Sequence, residues 1–197
     1  MNKEQPKLLN LANMLTLSRV AAIPVLVLLL IFENKTASIL AALIFLAAVL
    51  TDLLDGFLAR RHKLVTNFGR FLDPLADKLL NSAALIMLIP LDRVAAWMVF
   101  LIIGRDLAIT GLRAIATTEG MVIDASLLGK RKTLTQNIAI CLLLGHYPIW
   151  FLDLHIYGTF FIWVALLITY WSGAAYFIKF YKVVGANPGG GNLTSQD

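Results

Sequence analysis

The sequence predicts an all-α integral membrane protein, with six transmembrane helices behind an N-terminal interfacial amphipathic segment. Three observations predict it. Hydrophobic residues make up 59% of the chain and charged residues only 15%, whereas soluble domains carry about 25% charge; the mean hydropathy is +0.78. The apolar residues fall into six runs, each near the ~20 residues that a helix needs to cross the hydrocarbon core. The basic residues are also distributed unevenly between the two sides that six spans create. A soluble helical bundle would need a polar face on each helix, and those faces are mostly missing.

The first stretch, "NKEQPKLLNLANML", places Leu8, Leu11, Ala12 and Leu15 at helical spacing. It suits a helix lying in the membrane interface. The spans then run over about 15–32, 37–60, 70–90, 94–116, 134–152 and 156–180. The first is long enough to span and has no small-residue cleavage site after it, so it does not read as a cleavable signal peptide. Connections are short except for 61–69 and 117–133. Residues 1–182 read as one membrane domain, and the Gly-rich end, 183–197, as a flexible tail. Cys141, alone in "IAICLLLG", reads as a small hydrophobe.

With six spans, both termini and the two longer loops lie on one side. That side and its helix ends hold fifteen Lys and Arg residues against two, Lys35 and Arg93, on the other. Cytoplasmic loops carry the excess of Lys and Arg. Both termini are therefore expected to be cytoplasmic, in a multi-pass protein of the cytoplasmic (inner) membrane. Four aspartates, Asp52, Asp55, Asp73 and Asp77, lie at the cytoplasmic ends of spans two and three.

Clustered carboxylates repel one another, so something positive should compensate. Asp52 and Asp55 are three apart and Asp73 and Asp77 four apart, so each pair shares a helix face. A short loop favours antiparallel neighbours, which would let the pairs face each other. The donor set is all oxygen, which suits Mg²⁺, Mn²⁺ or Ca²⁺ rather than Zn²⁺. Such a set fits a two-metal phosphoryl-transfer site. Salt bridges to Arg60, Arg61, Arg70 and Lys78 are the plainer explanation for any single aspartate, and they fit the ordered set of four poorly. Gly56 opens space for a ligand or a packed helix. Pro74 starts or kinks the third helix, and Gly69 reads as the end of the loop. Arg105 and Arg113, eight apart, share roughly one helical face, and Lys130, Arg131 and Lys132 follow in the next cytoplasmic segment. Together they suit a phosphate-bearing ligand. Positive-inside topology and anionic-lipid attraction are the alternative, preferred for Arg131 and Lys182.

The stretch TDLLDGFLARRHKLVTNFGRFLDPLADKLL matches D-x2-D-G-x2-A-R-x8-G-x3-D-x3-D through Asp52, Asp55, Gly56, Ala59, Arg60, Gly69, Asp73 and Asp77. It resembles the CDP-alcohol phosphotransferase family over nearly the whole chain. The resemblance implies a six-helix membrane fold paired as a homodimer. It implies two Mg²⁺ or Mn²⁺ ions held by the four aspartates, with Asp77, or else Asp73, as general base. "ANMLTLSR" looks like the family's N-terminal element, so Asn13 and Thr16 join Gly56, Ala59, Arg60 and Gly69 around the CDP group; Ala12 stands where the family usually has Pro. "GRDLAITGLR" and "GMVIDASLLGKRKTLTQ" look like the branch using CDP-diacylglycerol as donor and sn-glycerol 3-phosphate as acceptor. The matching positions are Arg105, Arg113, Gly129, Lys130, Lys132, Thr133 and Gln136, and Asp106 stands where that branch often has Glu. Arg105, Arg113, Lys130 and Lys132 would then bind the acceptor phosphate. The implied partners are these substrates and membrane lipid, with no nucleic acid. Inositol phosphate, serine or phosphatidylglycerol are alternative acceptors. A divalent-cation transporter is the more distant alternative, and it would place its carboxylates nearer the membrane midplane.

Overall fold

The computed structural model describes residues 11–62, 67–118, 127–148 and 152–185, with side chains for 14, 16–51, 74–116, 129, 131–148, 152–178 and 181. It is all-helical. Six helices run in order: α1 Leu11–Ile31, α2 Lys35–His62, α3 Asn67–Leu88, α4 Ala96–Thr118, α5 Leu127–Gly145 and α6 Leu154–Gly185. The expected interfacial segment lies mostly outside the described residues, as does most of the tail.

Local chemistry sets several boundaries. Asn34 caps α2, its Oδ1 accepting from the Ala37 amide at 2.8 Å. Asp153 caps α6 in the same way, its Oδ1 accepting from His155 N at 3.0 Å and Ile156 N at 3.3 Å. His146 ends α5 in the left-handed region at φ 52°, and its amide donates to Leu142 O at 2.9 Å. That is the helix-end conformation glycine usually supplies.

Three expectations shift. Of the two readings of Pro74, the helix start fails, since it lies inside a helix that begins at Asn67; Gly69 lies within α3 rather than ending the loop. Helix α5 runs from Leu127 to Gly145 rather than over about 134–152. Residues 117–133 read in sequence as a connection, but Lys132 is buried against Asp106, so its charge is partnered rather than solvated.

The core is apolar and continuous. Leu80, Ala84, Leu85 and Leu88 of α3 are fully buried, as are Ala139, Ile140, Leu143 and Leu144 of α5; in each set the spacing keeps to one helix face. Phe45 of α2, Leu26 of α1, Ile102 of α4 and Ile162 of α6 close on them. Helix α1 packs against both α2 and α3, and α5 against α2, α3 and α6.

The exterior is as apolar as the interior. Phe100 is 74% exposed, Leu167 68% and Trp171 73%, while Thr16 and Thr169 are fully buried. Many large apolar groups are exposed while several polar groups are buried, unlike a soluble bundle. Among the described residues, Leu154–Ile178 of α6 is the one helix long and apolar enough to cross a membrane by length and composition. Helices α3, α4 and α5 carry internal charge: Asp77 and Lys78, Arg105 and Asp106, and Lys132.

Arg93, in the α3–α4 turn, joins three elements and is only 5% exposed. It donates to Leu143 O at 3.2 Å and Leu144 O at 2.8 Å in the last turn of α5, and to Ser38 Oγ at 2.8 Å on α2. It thereby satisfies carbonyls that a helix C-terminus leaves open. Arg93→Ala removes these bonds and should cost about 3 kcal/mol. In detergent thermal unfolding the midpoint should fall by roughly 5–10 °C, with Arg93→Lys recovering part of the loss.

Candidate functional site

Helices α3, α4, α6 and α5 form a closed ring of packed neighbours: α3 on α4, α4 on α6, α6 on α5 and α5 on α3. Inside that ring lies a cavity of ≈ 470 Å³, within the size range of small-molecule sites. Each helix lines it with residues at helical spacing. Helix α3 gives Asp77, Lys78 and Asn81; α4 gives Arg105, Asp106, Thr110 and Arg113; α5 gives Gly129, Lys132, Thr133 and Gln136; α6 gives Ser172 and Tyr176. The polar stripes of otherwise apolar helices therefore converge. Among the described residues four cations face two carboxylates, a net positive lining that suits an anion.

Asp106 organises the cations. Lys132 Nζ donates to Asp106 Oδ1 at 2.5 Å and also contacts Oδ2. Arg105 Nη1 reaches Asp106 Oδ1 at 3.3 Å. The pair Lys132–Asp106 thus spans the ring from α5 to α4. Arg105 is held from α6 as well: its Nη2 donates to Ser172 Oγ at 2.8 Å, and Ser172 in turn donates to Thr169 O at 3.1 Å. Gly173 gives the guanidinium stem its path, because a Cβ there would meet Arg105 Nε at 3.3 Å. Arg113 lies over the Tyr176 ring, 5.8 Å from its centroid. Lys78 bonds to the Thr110 hydroxyl, which donates to Asp106 O at 2.6 Å.

The sequence-predicted residues divide accordingly. Asp77, Arg105, Arg113 and Lys132 meet in this cavity, as do Gly129, Thr133 and Gln136. Thr16 is fully buried on α1. Asp52, Asp55, Gly56, Ala59 and Arg60 lie on α2, Gly69 and Asp73 on α3, Asn13 on α1 and Lys130 on α5; their side chains lie outside the described residues. Among the described residues no three His, Cys, Asp or Glu side chains cluster as a metal site. The donor chemistry of the four aspartates, all carboxylate and carried on two helices, fits a hard divalent cation.

Sequence reasoning missed Asn81, Ser172 and Tyr176 as site residues. Asn81 stands one turn beyond Asp77, a spacing that could have flagged it. Ser172 and Tyr176 carried no local signal, since they reach the site from the far end of the chain.

A profile of the CDP-alcohol phosphatidyltransferase family matches residues 9–171. The chain is 42% identical over 187 residues to the CDP-diacylglycerol–glycerol-3-phosphate 3-phosphatidyltransferase of Bacillus subtilis, covering 89% of this chain and 97% of that protein. It is 39% identical over 169 residues to the protein of that name from Rickettsia typhi, covering 85% of this chain and 95% of that protein. An Arabidopsis thaliana protein, CDP-diacylglycerol–glycerol-3-phosphate 3-phosphatidyltransferase 2, is 35% identical over 192 residues, covering 90% of this chain and 82% of its own.

Proposed function

The chain belongs to the CDP-alcohol phosphatidyltransferase family, and within it we propose that it transfers the phosphatidyl group of CDP-diacylglycerol to sn-glycerol 3-phosphate, releasing CMP and forming phosphatidylglycerol phosphate for phospholipid synthesis. The observation that carries this reading is the cationic cavity, where Arg105, Arg113 and Lys132 surround the same space as Asp77. A phosphate-bearing acceptor needs both: cations for its phosphate and a base near its hydroxyl.

The acceptor phosphate rests among Arg105, Arg113 and Lys132, and Lys130 of α5 is the fourth basic residue proposed for it. Its primary hydroxyl faces Asp77, which takes the proton as the hydroxyl oxygen attacks the lipid-bearing phosphorus. The new phosphorus–oxygen bond forms as the bond to CMP breaks, and CMP leaves in line. Asp77 is taken as the base: its side chain lines the acceptor cavity. Asp52, Asp55, Asp73 and Asp77 would hold two Mg²⁺ or Mn²⁺ ions. When bound, these ions neutralise the pyrophosphate and stabilise the departing charge. Gly56 leaves room for the nucleotide, flanked by Ala59 and Gly69. Arg60, Thr16 and Asn13 hold the nucleotide.

The helices would all lie in the cytoplasmic membrane as six spans, with residues 1–182 as one domain and 183–197 as a tail. The apolar exterior of α4 and α6 supports lipid contact, and Asp77, Lys78, Arg105, Asp106 and Lys132 line the cavity between the helices, where they need not meet it. Both termini and the cavity mouth would face the cytoplasm, and the acyl chains would enter sideways between helices. The protein would pair as a homodimer.

Purified protein incubated with CDP-diacylglycerol should release CMP only when glycerol 3-phosphate and a divalent cation are both present, and EDTA should stop it. Equal release with serine, inositol phosphate or phosphatidylglycerol in its place would sink the acceptor assignment.

A further inference from the structure

Three polar groups in the cavity are left over by the ion pairs. Asn81 is 6% exposed, Gln136 3% and Tyr176 8%, and all three line the cavity. Asn81 Oδ1, Gln136 Oε1 and the Tyr176 hydroxyl have no hydrogen-bond partner among the described residues. Leaving such groups buried and unpaired is costly, and native proteins rarely do it without a reason. Their positions are not scattered. Asn81 lies one turn beyond Asp77 on α3, and Gln136 one turn beyond Lys132 on α5. Tyr176 stacks on Arg113 through its ring, leaving its hydroxyl as the free part.

What these atoms need differs from what the cations need. A carboxamide oxygen accepts hydrogen bonds and donates none. A phosphate dianion also only accepts, so it satisfies Arg105, Arg113 and Lys132 but cannot satisfy Asn81 Oδ1 or Gln136 Oε1. An uncharged hydroxyl suits this group: its hydrogen goes to one carboxamide oxygen, and its own oxygen accepts from the Tyr176 hydroxyl or the other amide N–H. An ammonium group would also donate, but it would sit among four cations. We infer that Asn81, Gln136 and Tyr176 bind the hydroxyl groups of the acceptor, so that the cavity selects a polyol monophosphate by its hydroxyls as well as by its charge. This deepens the proposed function and rests on it for the identity of the phosphate-bearing acceptor. It makes the three residues specificity determinants for the hydroxyl that does not react.

The discriminating analogue is 3-hydroxypropyl phosphate. It keeps the phosphate and the attacking primary hydroxyl and lacks only the secondary one. A site that hydrogen-bonds a hydroxyl rejects the analogue without it, because its own polar groups are then left unpaired. Wild-type enzyme should show kcat/KM for glycerol 3-phosphate at least about tenfold above that for the analogue, the effect of one lost buried hydrogen bond. Asn81→Leu and Gln136→Met, near in volume to the native side chains, should lower that ratio toward unity, and Tyr176→Phe should lower it in part. The ratio is taken on one protein preparation, so lost folding or lost active fraction does not move it. Titration calorimetry of both phosphates into the wild-type protein reads the same preference without turnover and without any variant. Equal use and equal binding of the two phosphates by wild type would overturn the assignment, and so would variants that keep the wild-type ratio. A calorimetric preference for glycerol 3-phosphate without transfer to it would support the hydroxyl assignment while refuting the proposed reaction.

Discussion

Asp77→Asn should lower kcat by about 10²–10⁴-fold, the usual range for a lost general base, while KM for glycerol 3-phosphate changes little. The carboxamide keeps an oxygen where the carboxylate had one, so the change is loss of the proton acceptor, of one negative charge and of one carboxylate of the proposed metal set. Asp77 is half-buried on α3 and shares its cavity with Lys78, Arg105, Arg113 and Lys132. Removing its charge leaves the anion-binding cations in place, which is why acceptor affinity should hold. Asp77→Glu keeps the charge and moves it by about one methylene, so it should retain more activity than Asp77→Asn. The test is steady-state kinetics at saturating divalent cation, with detergent thermal unfolding as a control. Wild-type turnover in Asp77→Asn would transfer the base to another group, Asp73 first.

Lys132→Met should raise KM for glycerol 3-phosphate by roughly 10–100-fold, since hydrogen bonds to charged groups contribute about 1.5–3 kcal/mol. It should also lower thermal stability. Lys132 is 4% exposed, and its partner Asp106 would be left with Arg105 alone. Breaking a buried pair from one side strands the other charge. The two effects separate in the double variant. Adding Asp106→Asn removes the stranded carboxylate, so the unfolding midpoint should recover while KM stays high. If KM recovers together with stability, Lys132 is a structural partner of Asp106 and does not contact the phosphate.

The fold was legible where apolar run length carries the information. Five of the six helices fall within about five residues of the apolar runs, since run length reports a spanning helix, whereas α5 lies seven residues earlier. The start of α5 was not legible, because charge near a helix end reads as solvated unless its partner is known. Lys132 finds Asp106 across 26 residues of sequence, and no local rule supplies that contact. Arg105 and Arg113 stood out as basic residues in an apolar run and Lys132 through the family resemblance, and all three line one cavity. The neutral half of the site was not legible. Asn81, Gln136 and Tyr176 are ordinary residues in sequence and become informative only when burial leaves their polar atoms without partners. Ser172 reaches Arg105 across 67 residues, a convergence that only packing of α6 on α4 creates.

The central claim is that the cavity inside the α3–α4–α6–α5 ring holds the acceptor. An experimental structure of the wild-type protein with glycerol 3-phosphate tests it most directly. The account predicts the phosphate among Arg105, Arg113 and Lys132, the primary hydroxyl toward Asp77, and the secondary hydroxyl on the Asn81 and Gln136 amides. Glycerol 3-phosphate bound outside that ring, with the cavity occupied by lipid chain, would contradict it.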